Sequence, residues 1–222
     1  MLLIKNCTLI IFDFDGVIAN TNYLKTEAFE KAIINEPIKL RKKFIDYHKK
    51  NFGISRYVKF KYYYTNINKQ KKFDKDLGLT LDKYSKINLE SSCKSKLIYG
   101  VNKFIKDIYK IGIPMYVISS SDEKDLKKII NHKKLNKYFK GIYGSPNTKY
   151  KNYKIILNKI KSNKNIIAFG DSKSDYEVAK KNHINFIYVS GKSFWKNQKE
   201  IKDKIQYQIV NFSKKNLDKV IL

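Results

Sequence analysis

Residues 9–17, LIIFDFDGV, place two aspartates directly behind a short apolar run. An uninterrupted run of this kind is typical of a strand that is buried on both faces, as the strands of parallel sheets are. The Asp13-Phe14-Asp15-Gly16 sequence that follows indicates a tight turn. The segment therefore predicts a central strand with carboxylates at its carboxyl end.

The second half of the chain alternates between apolar runs and helical spacing. Strands are predicted at 114–119, 141–144, 165–169 and 184–189, and helices at 101–111, 122–132, 150–160 and 174–182. This alternation is typical of a parallel sheet with crossover helices. For the last ~30 residues we expect a helix, a short segment and a terminal helix.

Residues 20–97 have a different character, because they are rich in Lys, Tyr and Phe and have helical apolar spacing, for example at 23–34 and 81–97. They contain no convincing strand pattern. We therefore expect one α/β domain, formed by residues 1–19 and 98–222, that is interrupted by an all-helical insertion at 20–97.

The charge of the chain suggests an acidic partner when it is taken alone. The net charge is +27 over 222 residues, a value often seen in proteins that bind nucleic acid or anionic membranes. Only two of the 47 basic residues are arginines, Arg41 and Arg56, and the lysines are spread along the chain. Lys, Ile, Asn and Tyr share AT-rich codons, so genome composition explains much of this excess. We expect a solvated lysine surface, with nucleic-acid binding as the alternative.

Other features indicate a reduced, cytoplasmic protein. Cys7 and Cys93 have no disulfide or metal spacing, and the N-terminal apolar run lacks a cleavage site and is too short to span a membrane. The histidines are expected at the surface or at helix ends; they are His48, His132 and His183.

Polar side chains follow the predicted strands where each strand ends. They comprise Asp13 and Asp15, Ser119 to Ser121, Lys149, and Asp171 with Asp175. Because the carboxyl ends of parallel strands share one edge, these side chains should converge. Crowded carboxylates repel each other, and a hard divalent cation removes the repulsion; an all-oxygen set suits Mg²⁺. The chemistry indicated is phosphoryl transfer.

The motifs at these strand ends resemble those of the haloacid dehalogenase superfamily. Residues 13–17 (DFDGV) resemble its first motif, Ser119 its second, Lys149 its third and 170–175 (GDSKSD) its fourth. All four occur in family order, so the resemblance covers nearly the whole chain. It implies a Rossmann-like α/β core with a helical cap inserted after the first strand.

The resemblance also implies roles for the carboxylates. Asp13 would attack phosphorus and form an aspartyl-phosphate. Asp15 would act as general acid and then as base, and its backbone carbonyl would bind the metal. Asp171 would complete the metal ligands with Asp13. Asp175 is either a further metal-side carboxylate or an acid that stabilises a helix N-terminus.

The resemblance also implies residues that would contact the phosphate. Ser119 would hold a phosphate oxygen, with Ser120 and Gly16 beside it, and Lys149 would neutralise the transferring phosphoryl group. In the insertion, Arg56 stands out as one of two arginines. It is expected to bind the substrate through its planar fork, or else to form a surface ion pair.

The expected activity is a Mg²⁺-dependent phosphatase for a small phosphorylated metabolite, such as a sugar phosphate, a sugar-acid phosphate or phosphoglycolate. Sugar phosphomutases of the same superfamily tend to have a histidine where this chain has Lys25, which lowers that alternative without excluding it. A polynucleotide end phosphatase is the remaining alternative, and steep salt dependence of nucleic-acid binding would support it.

Overall fold

The computed structural model describes residues 4–160, 165–195, 197–218 and 220. One parallel sheet lies at its centre, with the strand order β3-β2-β1-β4-β5-β6. The strands are β1 (Leu9–Phe12), β2 (Met115–Asp122), β3 (Gly141–Ser145), β4 (Ile166–Gly170), β5 (Asn185–Val189) and β6 (Tyr207–Ile209). After β3 the chain crosses over β1 to form β4 on its other side. The topological switch point therefore lies between β1 and β4.

Helices cover both faces of this sheet. In chain order they are α5 (Val101–Lys110), α6 (Glu123–His132), α7 (Lys149–Leu157), α8 (Lys173–Lys181), α9 (Gln198–Lys204) and α10 (Lys214–Leu217), which follow four helices of the insertion. Ile10 and Phe12 pack in the core cluster that contains α5 and α6, whereas Leu9 and Ile11 pack in the cluster that contains α7 and α8. The predicted α/β fold is confirmed, and burial on both faces explains the continuous apolar run.

The second strand is longer than the sequence predicted. β2 extends to Asp122, and its pairing with β3 shifts register between Ile118 and Asp122. Ser120 and Ser121, which the prediction placed beyond the strand, therefore belong with Ser119 to an irregular strand end. This irregularity turns the serine hydroxyls toward the end of β1, where Ser119 and Ser121 contact Asp15.

The insertion is helical, as predicted. It comprises α1 (Asn22–Ala32), α2 (Ile38–Lys50), α3 (Arg56–Tyr62), a π-helical turn (Tyr63–Ile67) and α4 (Asp74–Lys94). Helix α4 begins earlier than the predicted residue 81. The helices enclose a separate apolar core that includes Phe29, Phe44 and Phe60. No helix in the described ranges is long and apolar enough to cross a membrane.

The chain enters and leaves the insertion side by side. Ala19 and Leu97 form an antiparallel bridge, Asn20 N–H donates to Lys96 O at 2.9 Å, and Ile98 N–H donates to Ile18 O at 2.9 Å. These contacts lie at the boundaries that the sequence predicted, 19/20 and 97/98. The division into two domains at those positions stays a prediction.

Candidate active site

Three buried carboxylates meet at the carboxyl edge of the sheet. Asp13 follows β1, Asp171 follows β4, and Asp175 lies in the first turn of α8. β1 and β4 are hydrogen-bonded neighbours, with Phe12 paired to Phe169, and one oxygen of each carboxylate lies within 4.8 Å of the others. The predicted approach of the ends of the first and fourth strands is therefore confirmed.

The ammonium group of Lys149 lies between two of these carboxylates. Its Nζ is 3.0 Å from Asp13 Oδ1 and 2.5 Å from Asp175 Oδ1. Lys149 begins α7, which Thr148 caps by accepting from Lys151 N–H. Burial alone would lower the pKa of Lys149, but attraction to Asp13 and Asp175 raises it above its ordinary value. Lys149 is thus a fixed cation beside Asp13.

The cluster carries more negative charge than Lys149 can offset. Burial, with repulsion from Asp175, raises the pKa of Asp13 to about 7 despite the opposing pull of Lys149. Burial, with repulsion from Asp13 and Asp175, also raises the pKa of Asp171 well above its ordinary value. Three carboxylates facing one ammonium group form an all-oxygen set that fits a hard divalent cation.

Asp175 serves a structural purpose as well. Its Oδ2 accepts from Ser172 N–H at 3.1 Å and from Ser172 Oγ at 2.5 Å, which completes a capping box at the start of α8. Its Oδ1 accepts from Lys149. The helix-capping alternative of the sequence analysis is therefore present in the structure, and a role on the metal side stays a prediction.

Gly16 allows the backbone to approach Asp171 closely. Its φ is +76°, and a Cβ at this position would lie 2.1 Å from Asp171 Oδ2. The same oxygen accepts from Asn22 Nδ2 at 2.6 Å, and Nδ2 also donates to Lys192 O at 2.9 Å. Asn22, which the sequence analysis missed, therefore orients one carboxylate of the cluster.

The side chain of Asp15 is held by four donors. Thr21 Oγ1 donates to Oδ1 at 2.6 Å, and Oδ2 accepts from Lys25 Nζ at 2.7 Å, Ser121 Oγ at 3.0 Å and Ser119 Oγ at 3.2 Å. Burial would raise the pKa of Asp15, but Lys25, Thr21 and Ser121 together hold it below its ordinary value. Thr21 and Lys25, for which no site role was predicted, lie one helical turn apart and face the same cleft.

The insertion is seated on this edge of the sheet. Ser120 Oγ donates to Gly53 O, and a Cβ on Gly53 would lie 2.0 Å from Ser174 Oγ. Arg56 Nη1 lies 2.6 Å from Asp125 Oδ2. Ser120 and Arg56 thus both line the pocket and join the two parts of the chain.

A partly apolar wall completes the pocket on the insertion side. It includes Phe29, Phe52 and Tyr84, together with His48 and Lys59. His48 lies in the last turn of α2, as the helix-end alternative predicted, but it is 2% exposed and so does not lie at the surface. Its burial depends on packing against Phe29 and Phe52, which the helical spacing of α2 did not indicate.

A six-stranded parallel sheet with buried carboxylates at its switch point defines an α/β enzyme. More specifically, the chain belongs to the haloacid dehalogenase-like hydrolase family, whose model matches residues 10–189. The family resemblance of the four motifs is thereby confirmed, and the protein is a hydrolase of that family. No curated protein matches the sequence significantly.

Several solved structures have the same fold. A predicted phosphoglycolate phosphatase from Haemophilus somnus 129PT superposes with a TM-score of 0.76 at 16% identity, over 93% of this chain and 95% of its own. A β-phosphoglucomutase from Clostridium difficile gives 0.75 at 17% identity over 96% of both chains. A CbbY mutant from Rhodobacter sphaeroides, in complex with xylulose-(1,5)bisphosphate, gives 0.75 at 13% identity over 97% and 100%. At these identities the likeness concerns the fold.

Proposed function

We propose that the protein is a Mg²⁺-dependent phosphatase that hydrolyses a small phosphomonoester through an aspartyl-phosphate on Asp13. The observation that carries this proposal is the position of Asp13. Its carboxylate is buried next to Asp171 and Asp175 and is contacted by Lys149. A nucleophile, a cation and candidate metal ligands are thus grouped at one point, as phosphoryl transfer requires.

The metal would be held by Asp13, Asp171 and the backbone carbonyl of Asp15, with Asp175 contributing directly or through water. Bound there, Mg²⁺ supplies charge neutralisation for the carboxylates and the phosphoryl group. Asn22 orients Asp171, and Asp175 orients Lys149. These partners keep the ligands in place before the substrate arrives.

In the first half-reaction, Asp13 attacks phosphorus while the bond from phosphorus to the leaving oxygen breaks. Lys149 offsets the charge of the transferring phosphoryl group. The hydroxyl of Ser119, which donates to Asp15 in the structure, would turn and donate to a phosphoryl oxygen. Ser120 and the backbone at Gly16 would also contact the phosphoryl group. The protonated form of Asp15 gives its proton to the leaving oxygen.

In the second half-reaction, water attacks the phosphorus of the aspartyl-phosphate and the bond to Asp13 breaks, which releases inorganic phosphate and the free Asp13 carboxylate. The Asp15 carboxylate takes a proton from the attacking water. Lys25 lowers the pKa of Asp15 and so favours this ionised form. The protonated form is correspondingly scarce at neutral pH. We therefore expect esters with good leaving groups to react fastest, because they need little help from an acid.

The insertion would act as a cap that excludes water during transfer. Its contacts with the core support this role: Tyr57 Oη donates to Asp122 Oδ2 at 2.6 Å, and Arg56 pairs with Asp125. Substrate entry then requires these contacts to open. A site that the insertion covers in this way suits a small metabolite better than a polynucleotide.

A sugar phosphomutase is the second candidate, since the chain shares its fold with a β-phosphoglucomutase. Lys25 argues against it, because it occupies the position where such mutases tend to have histidine. Product analysis separates the two activities: a phosphatase releases inorganic phosphate, whereas a mutase returns an isomeric phosphate ester.

The direct test is a screen of phosphorylated metabolites with and without Mg²⁺, measuring phosphate release. Asp13→Asn should abolish turnover and leave the fold intact, while the exposed Asp82→Asn serves as the matched control. Substantial Mg²⁺-dependent hydrolysis by the Asp13 variant would refute the assignment of the nucleophile.

The acid role of Asp15 has its own test. Asp15→Asn should slow hydrolysis of an alkyl phosphate more than that of an activated aryl phosphate, because the aryl leaving group needs little protonation. Equal losses for the two esters would contradict the role of Asp15 as acid.

A further inference from the structure

One lysine in the pocket wall has no carboxylate partner among the residues that the structure describes. Lys59, on α3, is 2% exposed and lines the same pocket as Asp13. Its Nζ lies 2.9 Å from His48 Nδ1, 5.0 Å from the centre of the Phe29 ring and 5.7 Å from that of Phe52. Within the described part of the chain, Lys59 forms no ion pair.

The other cations of the pocket are all neutralised. Lys149 pairs with Asp13 and Asp175, and Lys25 pairs with Asp15. Arg56 is likewise held by Asp125. Lys59 therefore differs from its neighbours, since no carboxylate in the described residues lies within ion-pair distance of its Nζ.

A hydrogen-bonded chain fixes the position of Lys59. His48 Nε2 lies 3.0 Å from Thr26 Oγ1, and Thr26 Oγ1 donates to Asn22 O at 3.1 Å. Burial, with the nearby charge of Lys59, lowers the pKa of His48 to about 2, so the ring is neutral. Nδ1 can then accept from Lys59. The neutral ring orients the ammonium group without offsetting its charge.

A buried, unpaired lysine is costly for stability alone. Transfer of an ammonium group out of water is unfavourable unless an opposite charge compensates it, and an apolar side chain of similar length would fill the same space more favourably. Burial and the nearby Lys25 lower the pKa of Lys59 well below its ordinary value. An anion placed beside Nζ would remove this penalty.

We propose that Lys59 binds a second anionic group of the substrate, so that the preferred substrates are small phosphate esters that also carry a carboxylate or a second phosphate. The inference rests on the proposed phosphatase function for the identity of the first group. Lys59 then recognises the far end of the molecule, and Phe29 and Phe52 enclose its contact with the anion.

Calorimetric binding tests this without relying on turnover. The probes are alkylphosphonates of increasing chain length that end in a methyl group, a carboxylate or a second phosphonate, in the presence of Mg²⁺. The proteins are the wild type, Lys59→Met, and Lys61→Met as a control, because Lys61 is exposed on the same helix.

At the best chain length, the wild type should bind a probe with a second anion about 10- to 100-fold more tightly than the methyl-ended probe, the usual range for one charged hydrogen bond. Lys59→Met should lose this preference and keep its affinity for the methyl-ended probe, while Lys61→Met keeps both. The carboxylate and phosphonate arms show which anion is preferred. Thermal unfolding checks that Lys59→Met is folded, and Lys59→Gln replaces it if it is not.

A wild type that shows no preference at any chain length would overturn the inference, as would a preference that survives in Lys59→Met. Failure of the phosphatase proposal would look different, since phosphate release would be absent from every ester while the preference for two anions persists.

Discussion

Asp13→Asn is expected to stabilise the metal-free protein at neutral pH while it abolishes turnover. Burial and the neighbouring carboxylate of Asp175 raise the pKa of Asp13 to about 7 from an ordinary value of 3.8. The folded state therefore holds this proton more tightly than the unfolded state does, and stability falls as the pH rises from about 4 to about 7. Asparagine has the same shape and no charge, so it avoids the loss.

The size of the effect follows from the shift in pKa. A rise from 3.8 to about 7 is about 3 pH units, and at about 1.4 kcal/mol per unit the upper estimate is about 4 kcal/mol above pH 7. The attraction of Lys149 is already contained in this figure. For a chain of this size, 1 kcal/mol corresponds to about 2–4 °C in Tm, so the gain is at most about 8–16 °C. At about pH 4.5 it shrinks to about 1 kcal/mol.

Thermal unfolding followed by circular dichroism, in EDTA and at several pH values, measures this gain. The control Asp82→Asn should stay within about 0.5 kcal/mol of the wild type, because its side chain is exposed. Saturating Mg²⁺ should remove the advantage of the Asp13 variant, since the cation offsets the same repulsion. An equal or lower Tm than the wild type in EDTA at about pH 8 would refute the reasoning, and so would a gain that does not change with pH.

Two further changes test the surroundings of the cluster. Gly16→Ala would place a Cβ 2.1 Å from Asp171 Oδ2 and should weaken Mg²⁺ binding about tenfold or more, measured by titration. Gly112→Ala has a similar φ of +77° with open space around it, so equal Mg²⁺ affinities in the two variants would contradict the predicted clash. Lys25→Met should raise the pKa of Asp15 and move the alkaline limb of the pH profile of kcat/KM up by about one unit or more, because Asp15 must be protonated in the first half-reaction. A limb that stays in place would show that Lys25 does not set this ionisation.

Local sequence patterns were sufficient to predict most of the fold and the approach of the strand ends at the centre of the site. The apolar run before Asp13 is buried on both faces because β1 lies in the middle of the sheet. Asp171 could be placed next to Asp13 from the sequence, since strand ends in a parallel sheet share one edge. The end of β2 was less predictable, because its register shift depends on how Asp122 pairs with β3.

The insertion side of the site could not be predicted in the same way. Lys25 and Lys59 are two of 47 basic residues, and nothing local distinguishes them from the lysines on the surface. Their burial depends on how α1 and α3 pack on the sheet edge. The burial of His48 could not be predicted for the same reason, since long-range packing determines its exposure.

The bridge between Ala19 and Leu97 has an evolutionary consequence. The chain leaves the sheet and returns to it at adjacent points. A different insertion could therefore be accommodated between these points without a change in strand order. A replacement insertion would have to retain the first turn of α1, because Asn22 donates to Asp171 and Lys25 donates to Asp15. Beyond that turn, the insertion can change during evolution and alter the substrate specificity, while the residues at the sheet edge retain the reaction.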